Sequence, residues 1–152
     1  MKITILTKSF LFVSCVTAMS YSGFLHAHSG GGVLNAGGDN PSATDLAEVT
    51  CFDDGNGTPA YLLAQVRDLS APQQGQLLNL QLYKGVQATS ISDPVSGDAE
   101  SSPFIRLDGG PGVYRLILNK TGAAARTFDV TWHCETANNL HTGTDIVVRQ
   151  LQ

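Results

Sequence analysis

The stretch RTFDVTWHCE at residues 126–135 decides the fold, because apolar and polar side chains alternate along its whole length. The apolar positions are Phe128, Val130, Trp132 and Cys134, and the polar positions are Thr127, Asp129, Thr131 and His133. Neighbouring side chains of a β-strand point to opposite faces, so a period of two predicts a strand with one face in the core. We therefore place Trp132 in the core and His133 on the outer face.

Other runs of the same kind, separated by turn residues, occur along the chain. They cover residues 45–52, 60–69, 76–83, 86–92, 104–107, 113–119 and 144–151. All 6 prolines lie between these runs or at their edges, where a missing N–H costs a sheet least. No segment shows the period of an amphipathic helix. The pattern predicts an all-β fold, an antiparallel two-sheet β-sandwich of seven or eight strands.

Two cysteines, Cys51 and Cys134, fall on the predicted core faces of their strands. An even pair in an exported chain is typical of a disulfide. The loop between them is long, and loop-closure entropy gives such a bond about 4.5 kcal/mol of stabilisation. A pair of metal-binding thiolates is the alternative, but it needs further ligands close by, and none stands beside Cys51. We expect one disulfide.

The first 27 residues have the organisation of a secretory signal peptide. Lys2 and Lys8 form a short positive region ahead of an apolar run at residues 10–24. Ala27 then offers a small residue at a signal-peptidase site. We expect cleavage there and export to the periplasm or the extracellular space.

Two other interpretations of this segment compete with cleavage. A lipoprotein would be acylated at Cys15, although Phe12-Val13-Ser14 is a poor approach sequence for that modification. An uncleaved anchor needs about 20 apolar residues, and the run is shorter and interrupted by serine and threonine. No later segment is apolar enough to span a bilayer, so no stable membrane insertion is expected after cleavage.

The mature chain divides into a leader and one domain. Residues 28–44 are rich in Gly, Asn and Ser without a hydrophobic period, which predicts a flexible leader. Residues 45–152 contain the alternating runs of the sandwich. Loss of Lys2 and Lys8 leaves 7 basic residues against 13 acidic ones, a net charge of −6. Scattered acidity of this kind argues against nucleic acid as a partner.

Part of the chain is similar to a known class of module. Residues 76–118 contain QLLNLQLYKG, SDPVSGD and SPFIRLDGGPGVYRLIL in that order. This succession of strand, loop and strand resembles that of the pre-peptidase C-terminal accessory modules of secreted bacterial enzymes. The Gly112-Val113-Tyr114 step also resembles the tyrosine corner of immunoglobulin-like domains. The resemblance implies a non-catalytic β-sandwich and does not identify a ligand.

Copper is the sharpest metal hypothesis. Cleavage after Ala27 would make His28 the first residue, so that its α-amine and its ring Nδ1 could chelate one ion. A second imidazole, from His133 or His141, would complete a histidine brace of the nitrogen-rich kind that Cu(II) favours. The alternative is that all three are ordinary surface histidines, since residues 29–32 would tether His28 loosely.

A second candidate metal site lies at residues 51–58, where Asp53, Asp54 and Asn56 form an oxygen-rich loop. Converging carboxylates and carbonyls of this kind bind calcium. The EF-hand order is not met, however, and Asp-Gly and Asn-Gly steps are strong hairpin-turn signals. A turn between the first two predicted strands explains the segment without an ion.

The sequence favours binding over catalysis. No nucleophile elbow and no phosphate-binding loop is present, so we expect no enzyme. Phe52, Tyr61 and Tyr83 fall out of phase with the apolar faces, which predicts an exposed surface for an unknown protein or glycan partner. Self-association through the leader, added as a strand to a neighbour, is a further option. The expected function is an exported, non-catalytic binding or structural protein at the cell envelope or outside the cell, with copper binding as the alternative.

Overall fold

The computed structural model describes residues 28–152; the predicted signal peptide, residues 1–27, lies outside them. Nine β-strands and no helix are found in this part of the chain. The strands are β1 His28–Leu34, β2 Thr44–Phe52, β3 Pro59–Asp68, β4 Leu78–Lys84, β5 Gln87–Ser92, β6 Ile105–Asp108, β7 Gly112–Lys120, β8 Arg126–Thr136 and β9 Gly143–Gln150. No helix long and apolar enough to cross a membrane occurs within residues 28–152.

The strands form two antiparallel sheets that face each other, which confirms the predicted sandwich, although it has nine strands and not seven or eight. One sheet has four strands in the order β1-β8-β3-β6, and the other has five in the order β5-β4-β7-β2-β9. Buried side chains alternate with mostly half-buried ones along β2, β3 and β8, so each strand contributes one face to a shared core. Trp132 is 5% exposed and belongs to that core, as the alternation of β8 predicted.

The disulfide between Cys51 and Cys134 is also confirmed. It joins β2 of one sheet to β8 of the other, with the two Cα atoms 5.5 Å apart. Both cysteines are buried, because each occupies an inward position of an alternating strand. The bond therefore crosses the core and ties the two sheets together.

The amino-terminal segment differs from the expected flexible leader. Residues His28–Leu34 form strand β1, which pairs with β8 so that His28 lies opposite Trp132 and Leu34 lies opposite Arg126. Glycines carry no side chain and give no hydrophobic period, yet their backbone groups pair like any others. A Cβ at Gly31 would collide with the carbonyl oxygen of Phe128, so the close approach of this strand requires glycine there.

Candidate functional site

Three histidines from separate parts of the chain meet at one end of the four-stranded sheet. His28 begins β1, His133 lies on β8, and His141 lies in the connection between β8 and β9. The ring centroids of His28 and His141 are 5.2 Å apart, and those of His133 and His141 are 5.4 Å apart. His141 thus lies between the other two, and the structure brings together all three residues that the copper hypothesis named.

The segment that carries His141 is held firmly by its backbone. His141 forms a bridge with Glu135 of β8, and the next residue, Thr142, donates its N–H to the carbonyl oxygen of Cys134 at 2.9 Å. The N–H of Thr136 is bonded to the carbonyl oxygen of Leu140 at 2.8 Å. Because the turn folds back onto β8, it places His141 beside the outer face of that strand.

The hydroxyl of Thr142 fixes the same segment to the turn that precedes β3. Thr142 is fully buried, and its Oγ1 lies 2.7 Å from the carbonyl oxygen of Gly57 and 3.2 Å from that of Phe52. Oγ1 also lies 3.3 Å from a carboxylate oxygen of Asp54. The turn before β3 and the turn that carries His141 therefore meet at this hydroxyl.

The ring geometry of the cluster is specific. His28 and His141 are stacked with an angle of 16° between their planes, whereas His133 and His141 meet edge to face at 80°. The Nε2 atom of His141 is buried and has no hydrogen-bond partner among residues 28–152. A buried imidazole nitrogen without a partner is costly, and a bound proton donor or metal ion would satisfy it.

The charge state of His133 also suits a ligand. Burial first, and then the neighbouring His141, lower the pKa of His133 below its ordinary value of 6.5, while Glu135 acts in the opposite direction. A lowered pKa keeps the imidazole neutral at physiological pH. A neutral imidazole has the lone pair that a metal ion needs.

The side chains alone do not yet form a metal-binding set. Within the described residues, no three His, Cys, Asp or Glu side chains are arranged to hold a metal ion. Stacked rings present their faces to each other, so a ring of the pair formed by His28 and His141 must rotate before both can bind one ion. The α-amine of His28 would add a nitrogen ligand, but the cleavage that frees it falls on residues outside the described part.

The predicted calcium loop uses its oxygen atoms to build a turn. Oδ1 of Asp53 accepts hydrogen bonds from the N–H groups of Gly55 at 2.8 Å and Gly57 at 3.1 Å. Oδ1 of Asp54 accepts one from the N–H of Asn56 at 3.1 Å, and this bond is the main reason that the pKa of Asp54 lies below its ordinary value. The carboxylates named for calcium thus cap their own backbone, as in the Asx-turns common at such sequences.

The aromatic surface predicted from the sequence is only partly present. Phe52 is 45% exposed and Tyr83 is 37% exposed, but they lie on β2 and β4, which β7 separates. The prediction for Tyr61 is wrong, since this residue is only 2% exposed. Its ring does point to the outer face, but Arg106 lies 3.6 Å above the ring.

Tyr61 instead helps to hold the turn that carries His141. Its hydroxyl lies 2.6 Å from a carboxylate oxygen of Glu135 and 2.6 Å from the side-chain oxygen of Asn139. Burial raises the pKa of Tyr61 to about 12, so the hydroxyl stays protonated and can donate. Sequence reasoning missed this role because the alternation of a strand shows which face a residue occupies but not what covers that face.

Comparison of the chain with family models, with curated proteins and with solved structures finds no match. The resemblance to secreted β-sandwich modules therefore stays a prediction. One local feature of it is present: the Tyr114 hydroxyl donates to the carbonyl oxygen of Gly110 at 2.7 Å. A bond from the tyrosine to backbone a few residues upstream is the contact of a tyrosine corner. It describes a local geometry and does not identify a ligand.

Proposed function

We propose that this chain is an exported, non-catalytic β-sandwich protein that binds Cu(II) through His28 and His141, with His133 as a neighbouring third imidazole. The observation that carries the proposal is the partnerless, buried Nε2 of His141 within the described residues, beside the stacked ring of His28. Nitrogen-rich ligand sets with planar geometry favour Cu(II) over other common divalent ions.

His141 is a better second ligand than His133. The ring of His141 is 5.2 Å from that of His28 and contacts both of the other imidazoles. His133 reaches the cluster through His141 and also contacts Phe104, with ring centroids 5.9 Å apart. In the proposed complex, His28 supplies its α-amine and Nδ1 and His141 supplies Nε2.

The backbone around His28 supports the proposal, because it removes the objection that glycines tether this residue loosely. Strand pairing with β8 holds His28 opposite Trp132, and the rings of those two residues lie 6.3 Å apart. A ligand on a paired strand needs less ordering on binding than one on a flexible leader.

The test compares the chain that begins at His28 with the same chain carrying one extra alanine before it. The extension turns the α-amine of His28 into an amide and moves the free amine to the added alanine, so the amine and Nδ1 of His28 can no longer close one chelate ring. We expect the affinity for Cu(II), measured by competition with a chelator, to fall at least 100-fold, or about 2.7 kcal/mol. The Cu(II) electron paramagnetic resonance spectrum should change at the same time.

An alanine added after Gln152 serves as the matched control and should leave Cu(II) affinity unchanged. Equal Cu(II) affinity together with an unchanged electron paramagnetic resonance spectrum in the chain extended before His28 would show that the His28 amine is not a ligand and would refute the proposed site. A fusion tag whose removal leaves extra residues before His28 is unsuitable for this measurement for the same reason.

A further inference from the structure

An apolar cavity of about 290 Å³ lies between the two sheets on the side of β1 and β9. Its walls include Phe128 and Trp132 of β8 and Ile146 and Val148 of β9, with Leu151 following β9. This volume belongs to neither the histidine cluster nor the disulfide. It reaches the lower end of the size range of small-molecule sites.

The cavity exists because the two edge strands do not fill it. On β1 the lining residues are Ser29, Gly30 and Gly31, and the two glycines bring no side chains into the space. On β9 the lining residue Val148 is still 55% exposed, and Leu151 is 72% exposed. Apolar surface left in this state is stabilised when a ligand covers it.

The polar groups of the lining restrict the chemistry of that ligand. Trp132 is 5% exposed, and its Nε1–H has no hydrogen-bond partner among the described residues, so a ligand acceptor would satisfy it. Asp45 is the ionisable residue in the lining, is 7% exposed, and already accepts the N–H of Gln152 at 2.8 Å. Within residues 28–152 no basic side chain lines the cavity, so an anionic ligand would meet an acidic group without a counter-charge.

The size of the ligand follows from the volume. An apolar cavity of about 150 Å³ holds a six-carbon aromatic molecule, so a cavity about twice as large holds about twelve non-hydrogen atoms. The cavity runs along β9 from Ile146 and reaches Leu151 just beyond the end of the strand, a span of about 17 Å in extended chain. An elongated molecule fits this shape better than a compact one.

We propose that this cavity binds an uncharged, medium-chain aliphatic molecule with one hydroxyl group, of the class of the fatty alcohols. The chain packs against Phe128, Ile146 and Val148, and the hydroxyl meets a polar group of the lining. Copper-free protein is used throughout the test, so the result does not depend on the proposed copper site.

The experiment titrates copper-free protein with 1-decanol and follows the fluorescence of Trp132, the only tryptophan of the chain. Decanoate, which has the same chain length and a negative charge, is titrated in parallel. We expect a saturable change in the emission of Trp132 with decanol, a rise in melting temperature, and at least tenfold weaker binding of decanoate.

Two substitutions on one strand separate the cavity from the rest of the surface. Val148→Phe fills the mouth of the cavity and should weaken decanol binding at least tenfold. Val147→Phe makes the same change at a neighbouring residue that is 43% exposed and does not line the cavity, so it should bind like the native chain. Since both positions are exposed, both variants should fold, and the melting temperature without ligand checks this.

Three outcomes would overturn the proposal. One is the absence of saturable decanol binding. Another is an equal effect of Val148→Phe and Val147→Phe, which would place the ligand elsewhere. The third is equally tight binding of decanoate and decanol, because it would show that the cavity does not select an uncharged ligand. If Val148→Phe does not fold, Ala47→Leu fills the same cavity from β2 and takes its place, with the same expectation.

Discussion

The two regions that the sequence marked as candidate metal sites use their polar atoms in opposite ways. In the turn at residues 53–57, the Asp53 carboxylate accepts two backbone N–H groups and the Asp54 carboxylate accepts a third. In the histidine cluster, the Nε2 of His141 has no partner within the described chain. A residue of metal-binding type therefore supports a metal site only when its ligand atoms are not already used in hydrogen bonds within the protein.

The two regions are also joined physically. Thr142 follows His141 directly, and its hydroxyl contacts Gly57 and Asp54 of the acidic turn. The disulfide anchors both regions, because Cys51 lies two residues before Asp53 and Cys134 lies next to His133. The acidic turn therefore helps to hold the segment that carries His141.

The strongest way to break both regions at once is to remove the disulfide. The double variant Cys51→Ser and Cys134→Ser should lose about 4.5 kcal/mol of unfolding free energy, because the open chain regains the entropy of a long loop. Urea denaturation of the native and variant proteins gives the difference. A loss below about 1 kcal/mol would mean that the unfolded state is already compact without the bond.

His141→Ala should separate the two regions in their response to copper. We expect Cu(II) affinity to fall about 100-fold, or about 2.7 kcal/mol, because the second nitrogen ligand is lost. Asp54→Asn should keep the affinity within about twofold, since Asp54 acts on the cluster only through Thr142. Competition titrations of both variants make the comparison. An equal loss of Cu(II) affinity in both variants would mean that the Cu(II) site includes the acidic turn.

Asp53→Ala tests the acidic turn alone. Its carboxylate accepts two backbone N–H groups on an exposed turn, so the free energy of unfolding should fall by about 1–2 kcal/mol. Addition of calcium should leave the melting temperature of both native and variant protein unchanged. A calcium-dependent rise that is present in the native chain and lost in Asp53→Ala would restore the calcium hypothesis.

The smallest effect concerns the pH dependence of the metal-free protein. Because the folded state lowers the pKa of His133, the unfolded state binds the proton more readily between the folded pKa and 6.5. The contribution of His133 to stability is therefore complete above pH 6.5 and declines as the pH falls through that window. His133→Gln should show a weaker decline than the native chain in thermal unfolding followed from neutral to acidic pH. Parallel curves for the two proteins would contradict a lowered pKa at His133.

Much of the sandwich could be predicted from alternation alone. Strand β8 and the inward positions of Cys51 and Cys134 followed from a period of two, because burial on one face selects apolar side chains at every second position. Strand β1 could not be predicted in this way. Its glycines leave no pattern, and its pairing depends on the backbone of β8.

The sequence predicted which residues form the candidate site, but not how they are arranged in space. His28, His133 and His141 could be named from their chemistry, but only the fold of the turn after β8 places His141 between the other two. The burial of Tyr61 depends on Arg106, a residue of another strand, and so left no local signal. The cavity likewise results from missing side chains on β1 and the exposed edge of β9, which no single segment encodes.

The pairing of β1 with β8 has a consequence for the order in which the molecule is completed. His28 lies opposite Trp132, so the first residue of this strand finds its partner only after about a hundred further residues have become available. Contacts this distant in sequence form late when a chain is made or delivered from its amino end. A partly emerged chain therefore cannot place His28 beside His141. The pairing that completes the four-stranded sheet is therefore also the step that brings His28 to the histidine cluster.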